Sequence, residues 1–328
     1  MVERYSGGQA RKLMNQWGKE NKSFLFVVDY LQEDNVVLLL DDICKDELLY
    51  AFPSGRNDGK EKIENTGSFT WKVFPEPLEQ YRSKFEAVQR QLHAGNTFLL
   101  NLTCRIPLET DLSLKDIYLR SHALYKLWMR GRLVCFSPEI FISINNGIIS
   151  SYPMKGTLDA ALPDAERILL DDEKEAAEHA TIVDLIRDDL SHVAENVHVP
   201  RYRYIDVLHT HQGDLLQTSS EITGHLPGNY REHIGDILFA QLPAGSITGA
   251  PKNRTCEIIA ETEGYERGFY TGIMGIYQNG CLDSAVMIRF VESSEGRLYF
   301  KAGGGITSYS RCENEYKEVI QKAYVPIY

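Results

Sequence analysis

Two turn signatures constrain how this chain can fold. Asn145-Asn146-Gly147 and Asn279-Gly280 each sit between short apolar runs: Glu139 to Ser150 around the first, Gly268 to Gln278 and Cys281 to Val291 around the second. Asn and Gly tolerate the left-handed backbone of a tight hairpin, so both segments are expected to fold as antiparallel strand pairs. Further strands are expected at Phe24 to Val28, Val36 to Leu40, Phe98 to Thr103 and Leu298 to Ala302, the first two joined by the polar turn Gln32-Glu33-Asp34-Asn35. Helical spacing and capping residues mark Arg11 to Lys19, Leu78 to Ala94, Leu112 to Trp128, Asp171 to Leu185, a segment from Pro251 and a last helix from Glu313 to Lys322. Asp41 to Thr70 reads as loop. At 328 residues with no Pro/Gly/Ser-rich linker, a single domain over 1–328 is expected, residues 1–74 adding strands to the rest.

Composition narrows the function classes. A net charge of −11 repels nucleic acid and anionic membranes, so an anionic ligand would have to meet local positive groups. Cys44, Cys104, Cys135, Cys256, Cys281 and Cys312 show no C-x-x-C spacing, which argues against a zinc knuckle or redox pair and for reduced cysteines. No apolar run approaches the ~18 residues of a membrane span, and a cytoplasmic protein is expected.

Chemistry concentrates in a few segments. Lys155, in Tyr152-Pro153-Met154-Lys155-Gly156-Thr157, follows the first hairpin at a point where the backbone must bend. Pro153 stiffens its approach and Gly156 lets the chain pass close to a ligand. A partly desolvated ammonium there should lose proton affinity and become a nucleophile; the plainer alternative is a solvated turn lysine. Glu175 and Glu178, at i and i+3, continue a ridge onto Ile182 and Leu185, so two carboxylates share the inward face. Glu315, Glu318 and Lys322 repeat the pattern on the last helix. Inward acidic pairs imply a cation, and all-oxygen ligation suits Mg²⁺; wet acidic faces, with a Glu318–Lys322 salt bridge, are the alternative. His179 reads as structural rather than as a ligand. Gly303-Gly304-Gly305 is expected to turn N–H groups toward one concavity that binds an anion. Arg289 is expected on a strand face shared with Asp283, Ala285 and Met287, paired with Asp283 or a ligand carboxylate. Pro243 to Lys252 (PAGSITGAPK) is a rigid turn with the glycine content of a ligand loop but without Walker spacing.

Read together, Ser137-Pro138-Glu139, Pro153 to Thr157, Glu175 to Leu190, Pro243 to Lys252, Arg267 to Gly272, Ala302 to Ile306 and Glu315 to Lys322 resemble the chorismate-utilising enzymes. That family includes anthranilate synthase component I, the isochorismate and salicylate synthases and aminodeoxychorismate synthase component I. The likeness runs in one order through residues 75–328. It implies an α+β fold, two central antiparallel sheets flanked by helices in α/β/β/α layers, with the site between them. Within the family, Lys155 points to the aminodeoxychorismate synthases, since the most similar anthranilate synthases carry alanine there. The resemblance further implies Mg²⁺ on Glu175, Glu178, Glu315 and Glu318, gripping the ring carboxylate of chorismate. Tyr270, Arg289, Gly303, Gly305 and Lys322 would hold the enolpyruvyl group, and Gly156, Thr157, Gln217, Thr248 and Gly304 complete the substrate contacts. Glu139 would protonate the departing 4-hydroxyl, Lys155 would attack C2, and ammonia from a glutamine amidotransferase subunit would attack C4 and expel the lysine.

This chain departs from its relatives in three places. Leu99 stands where glutamine is common, Gln217 where a histidine is usual and Ala160 where an arginine is common. The change at 217 keeps a hydrogen-bonding group and removes a titrating one. Besides the amination of chorismate, two readings stay open: an anthranilate synthase, and a Mg²⁺-dependent chorismate binder that has lost the chemistry.

Overall fold

The computed structural model describes residues 2–59, 68–210 and 213–327. Two nine-stranded antiparallel sheets form its centre. The first runs Met154–Asp159, Gly213–His225, Ile148–Ser151, Ile140–Asn145, Cys281–Val286, Ile273–Gln278, Phe24–Val28, Val36–Leu39, and Glu195–Thr210 pairs in addition with Gly213–His225. The second runs Gly249–Ala250, Leu99–Thr110, Arg297–Ile306, Phe290–Ser294, Leu133–Ser137, Tyr125–Met129, Leu48–Phe52, Gly55–Arg56, with Trp71–Val73 on Leu99–Thr110. Both expected hairpins form in the first sheet, with Asn146 and Gly147, and Asn279 and Gly280, all at positive φ.

Alternation along the strands builds the layers. In Phe24–Val28 every residue is buried, yet Phe24, Phe26 and Val28 join a core with helices Gly7–Lys19, Glu173–Ser191 and Ile234–Ala240, while Leu25 and Val27 face the other sheet. The contact between sheets is made by Tyr50, Phe52, Leu127, Cys135 and Phe290 from the second against Met274, Ile276 and Ala285 from the first. On its outer face the second sheet packs helices Leu78–His93, Lys252–Glu263 and Cys312–Gln321 through Phe85, Val88, Ile258 and Val319. At about 1.5–3 kcal/mol for each large apolar side chain fully buried, all three cores between the layers contribute to stability. The layering is the α/β/β/α arrangement that the family resemblance implies. Among the described residues, no helix is long and apolar enough to cross a membrane.

Several elements differ from expectation. Leu112 to Trp128 is not largely helical: Ser113 caps a seven-residue helix, Leu114–Arg120, and Tyr125–Met129 is a buried strand between Leu133–Ser137 and Leu48–Phe52. Apolar runs of that length fit either period, and sheet pairing decides. Leu48–Phe52 itself lies inside the segment read as loop; residues 60–67 of that segment fall outside those described. The run Cys281 to Val291 breaks at Val286. Arg289 takes a left-handed conformation (φ 53°), and the chain continues as Phe290–Ser294 in the other sheet. Arg289 is therefore not on a face with Asp283, whose carboxylate receives hydrogen bonds from the Tyr125 hydroxyl and the Ser54 N–H.

Candidate active site

The site forms where the first sheet's Met154–Asp159 edge meets the second sheet's glycine strand and two acidic helices. Asp172 caps Glu173–Ser191 by accepting from the Glu175 N–H at 2.9 Å, which fixes the helix start and turns its first carboxylates toward Lys155. Glu178 Oε2 lies 2.7 Å from Lys155 Nζ. Gly156 has φ 73° at an irregularity in the pairing with Gly213–His225. A Cβ there would lie 3.2 Å from Glu175 Oε2 and 3.1 Å from Leu169 Cδ1, so glycine is needed for conformation and for space.

From the opposite side comes the last helix, Cys312–Gln321. Glu318 Oε1 is 2.6 Å from Lys322 Nζ, which also donates to the Gly303 carbonyl at 3.1 Å. Arg289 Nη1 donates to the Lys322 carbonyl at 2.9 Å, tying the crossing between sheets to the helix end. Gly304 faces the acidic pair: a Cβ on it would be 3.5 Å from Glu315 Oε2 and 3.9 Å from Glu318 Oε1. A Cβ on Gly305 would be 3.9 Å from Lys155 Nζ and 3.3 Å from Leu99. The glycine strand thus meets the Glu315–Glu318 ridge at Gly304 and Lys155, the partner of Glu178, at Gly305.

The glycines do not form an anion-binding turn, however. Gly303, Gly304 and Gly305 are ordinary strand residues in register with Thr103, Leu102 and Asn101. Their contribution is clearance: a backbone floor without Cβ atoms, open toward Lys155 at Gly305 and, on the strand's other face, toward Glu315 and Glu318 at Gly304.

Lys155 also departs from expectation, because its proton affinity is raised. Burial alone would lower it, but Glu178, then Glu175 and Glu318, outweigh that and hold the ammonium charged. Burial raises the pKa of Glu139, against the opposing effects of the Ser246 hydroxyl, which donates to Oε1 at 2.6 Å, and of Lys322. A small cavity of about 20 Å³ beside it is lined by Ser151, Asp189, Gln241 and Ser246 among others. Tyr270 is buried against Phe290, and its hydroxyl is pushed up by burial. Thr248 is buried with its hydroxyl unpartnered, a donor or acceptor available to a ligand. Gln217 is half-buried opposite exposed Thr157. His179 is buried beneath the site, its Nε2 2.6 Å from Ser220 Oγ and its pKa lowered to about 4 by burial, Arg203 and Lys155, in keeping with a structural role.

The carboxylates offer oxygen ligands only, the donor set that suits Mg²⁺. Among the described residues, no three of them converge as a metal cage; Glu178 and Glu318 each engage a lysine instead. Occupation by a divalent cation therefore requires those lysine contacts to open.

Two clamps, one buried and one half-buried, escaped the sequence reading. Arg267 and Glu263, each 1% exposed at the side chain, pair through bonds of 2.6 and 2.8 Å; Arg267 also donates to the carbonyls of Asn101 and Ile247, and Glu263 accepts from Thr103. Lys252 lies 2.7 Å from Asp189. Gly264 breaks the helix between Glu263 and Arg267, so their i, i+4 spacing is no guide; only the Arg267 to Gly272 motif gave a signal.

The family model of chorismate binding enzymes matches residues 25–327. The chain is 45% identical over 313 residues, 95% of each sequence, to an uncharacterized PabA-like protein of Haemophilus influenzae. It is 36% identical over 259 residues to aminodeoxychorismate synthase component 1 of Salmonella typhimurium, a match that takes in 74% of this chain and 56% of that relative. The crystal structure of anthranilate synthase component I from Streptococcus pneumoniae superposes with a TM-score of 0.67 at 32% identity, covering 78% of this chain and 59% of that one. With its layered fold and a family match over nearly the whole length, the chain belongs to the chorismate-binding enzymes.

Proposed function

We propose that this enzyme is an aminodeoxychorismate synthase component I, which converts chorismate and ammonia to 4-amino-4-deoxychorismate on the route to 4-aminobenzoate and folate. The observation that carries the reading is the place of Lys155: its amine lies in the site, against the glycine floor and between the two acidic helices. The likeness to the Salmonella typhimurium protein supports the same reading. A separate glutamine amidotransferase would supply the ammonia. The six unpaired cysteines suit a reducing cytoplasm.

Mg²⁺, when bound, would be held by Glu175, Glu178, Glu315 and Glu318 and would neutralise the ring carboxylate. The chain's own residues do the remainder. Arg289, Tyr270 and Lys322 would receive the enolpyruvyl group, and the glycine strand would leave room for the ring. Glu139, whose pKa is raised by burial, would give its proton to the 4-hydroxyl, which leaves as water. Lys155 attacks C2 and the ring double bonds shift; ammonia then forms the C4–N bond, the double bonds return and the C2–Nζ bond breaks. Lys155 attacks only as a neutral amine, so its ammonium must first give up a proton, for which Glu178 Oε2 at 2.7 Å is the base within reach.

A second reading has one observation in its favour. The carboxylates around Lys155 hold it charged, and a charged lysine would suit a protein that binds chorismate without aminating it. Incubation with chorismate, Mg²⁺ and ammonium, followed by chromatography, separates the two. The amino product supports the proposal; anthranilate, isochorismate or unchanged chorismate overturns it.

A further inference from the structure

Ser246 sits in the middle of residues 241–252, a segment held at both ends. Its two ends are joined: Lys252 Nζ bonds to Asp189 Oδ1 at 2.7 Å and to the Gln241 carbonyl at 2.9 Å, while Gln241 Nε2 donates to the Asp189 carbonyl at 3.0 Å. This closes the segment on itself and fastens it to the acidic helix. Directly after Ser246, the Ile247 carbonyl accepts from Asn101 Nδ2 at 3.1 Å and Arg267 Nη1 at 3.0 Å, and the Thr248 carbonyl accepts from the Asn101 N–H at 3.0 Å. Between these anchors Gly245 packs so closely that a Cβ would lie 2.7 Å from Leu185. No slack remains in the backbone that carries Ser246.

The Ser246 hydroxyl reaches one functional group, Glu139 Oε1, at 2.6 Å. We propose that Ser246 is a positioning residue for Glu139, and that the clamps on either side of it serve to hold its hydroxyl at that carboxyl. A general acid must present one oxygen to the leaving group, and a carboxyl free to rotate presents either. A hydroxyl fixed on Oε1 leaves Oε2 for the substrate.

The charged groups facing Glu139 are Lys322 from the last helix and, across the small cavity, Asp189 from the acidic helix, itself paired with Lys252. Ser246 and Lys322 both favour the carboxylate form, against burial. Loss of the hydroxyl therefore lets Glu139 keep its proton to higher pH.

The test compares Ser246→Val with Ser246→Thr, which have the same shape and differ in the hydroxyl. It rests on the reading of Glu139 as general acid, so Glu139→Gln is measured alongside. With Ser246→Val, kcat for chorismate consumption should fall about tenfold at unchanged KM. The alkaline limb of its pH profile should move to higher pH. Ser246→Thr should restore both. Ser246→Ala replaces the valine variant if that does not fold. The ¹³Cδ titration of Glu139 by NMR, with and without the hydroxyl, reads the same shift with no turnover required. A wild-type limb and titration in Ser246→Val, or a threonine variant as impaired as valine, overturns the role of Ser246 alone. A Glu139→Gln variant with full kcat overturns the general-acid reading and the positioning role together.

Discussion

Lys155 and Lys301 are both removed from much of their water, and their surroundings move their proton affinities in opposite directions. Lys301, on the second sheet, is 1% exposed; it meets Glu292 at 2.7 Å and donates to the carbonyls of Glu266 and Arg267. Burial wins there and its pKa is lowered. Lys155, at the end of the first sheet, is 28% exposed at the side chain and meets three carboxylates, so charge wins. Lys126 extends the contrast: its ammonium donates to the carbonyls of Tyr118 and Ser121 over the Tyr118 ring, and its pKa falls to about 8. The lysine best placed for chemistry is thus not the one whose resting surroundings favour a neutral amine. A buried lysine cannot be assigned as nucleophile or strut from burial; the number of carboxylates around it, and whether a ligand can take them away, decide.

The comparison breaks most visibly at Lys155 itself. Enzyme given chorismate without ammonia should accumulate an adduct, protein plus chorismate minus water, on the peptide that contains Lys155, read by intact mass and peptide mapping. Lys155→Ala should abolish that adduct and the 4-amino product, with residual turnover shifted toward attack at C2. Full-rate amination by Lys155→Ala would return this residue to the class of Lys301.

Next in size is Glu292→Gln, which leaves Lys301 buried without its carboxylate. A loss of about 3–5 kcal/mol in unfolding free energy is expected, measured by urea titration, with KM for chorismate unchanged in the protein that remains folded. A loss below about 1 kcal/mol would mean that the backbone carbonyls alone satisfy Lys301.

At the site, Glu178→Gln exchanges a carboxylate for a neutral amide. The Mg²⁺ concentration for half-maximal activity should rise at least about tenfold. An unchanged value would make Glu178 a partner of Lys155 only.

The smallest effect concerns Lys126. Its folded pKa lies below that of the unfolded chain, so the unfolded state binds more protons between about pH 8 and pH 10.5 and stability should rise with pH across that window. On the order of 1–2 kcal/mol is expected after solvent screening, and Lys126→Met should flatten the rise in urea titrations at those pH values.

What could be read in the sequence was local. The Asn-Gly hairpins fix their own pairing, and an i, i+3 ridge shows which carboxylates share a face, so spacing alone groups Glu175 with Glu178 and Glu315 with Glu318. What could not be read depends on partners distant in sequence. Leu112 to Trp128 suits a helix until Leu48–Phe52 and Leu133–Ser137 arrive to pair with its second half. Arg289 fits a strand face until the chain changes sheets beneath it. The sign of the Lys155 shift needs Glu318, 163 positions away, to be counted against burial. Ser246 lay within a noticed motif, but nothing local to it points to Glu139.

The glycine strand has a further consequence for anyone seeking to block this enzyme. Because the strand carries no side chain at these positions, a resistance mutation there would have to add atoms, toward Lys155 at Gly305 or toward Glu315 and Glu318 at Gly304. If the ring of the substrate lies over Gly305 as proposed, an inhibitor of the same outline would meet only main chain there, and a mutation would have no side-chain contact to remove.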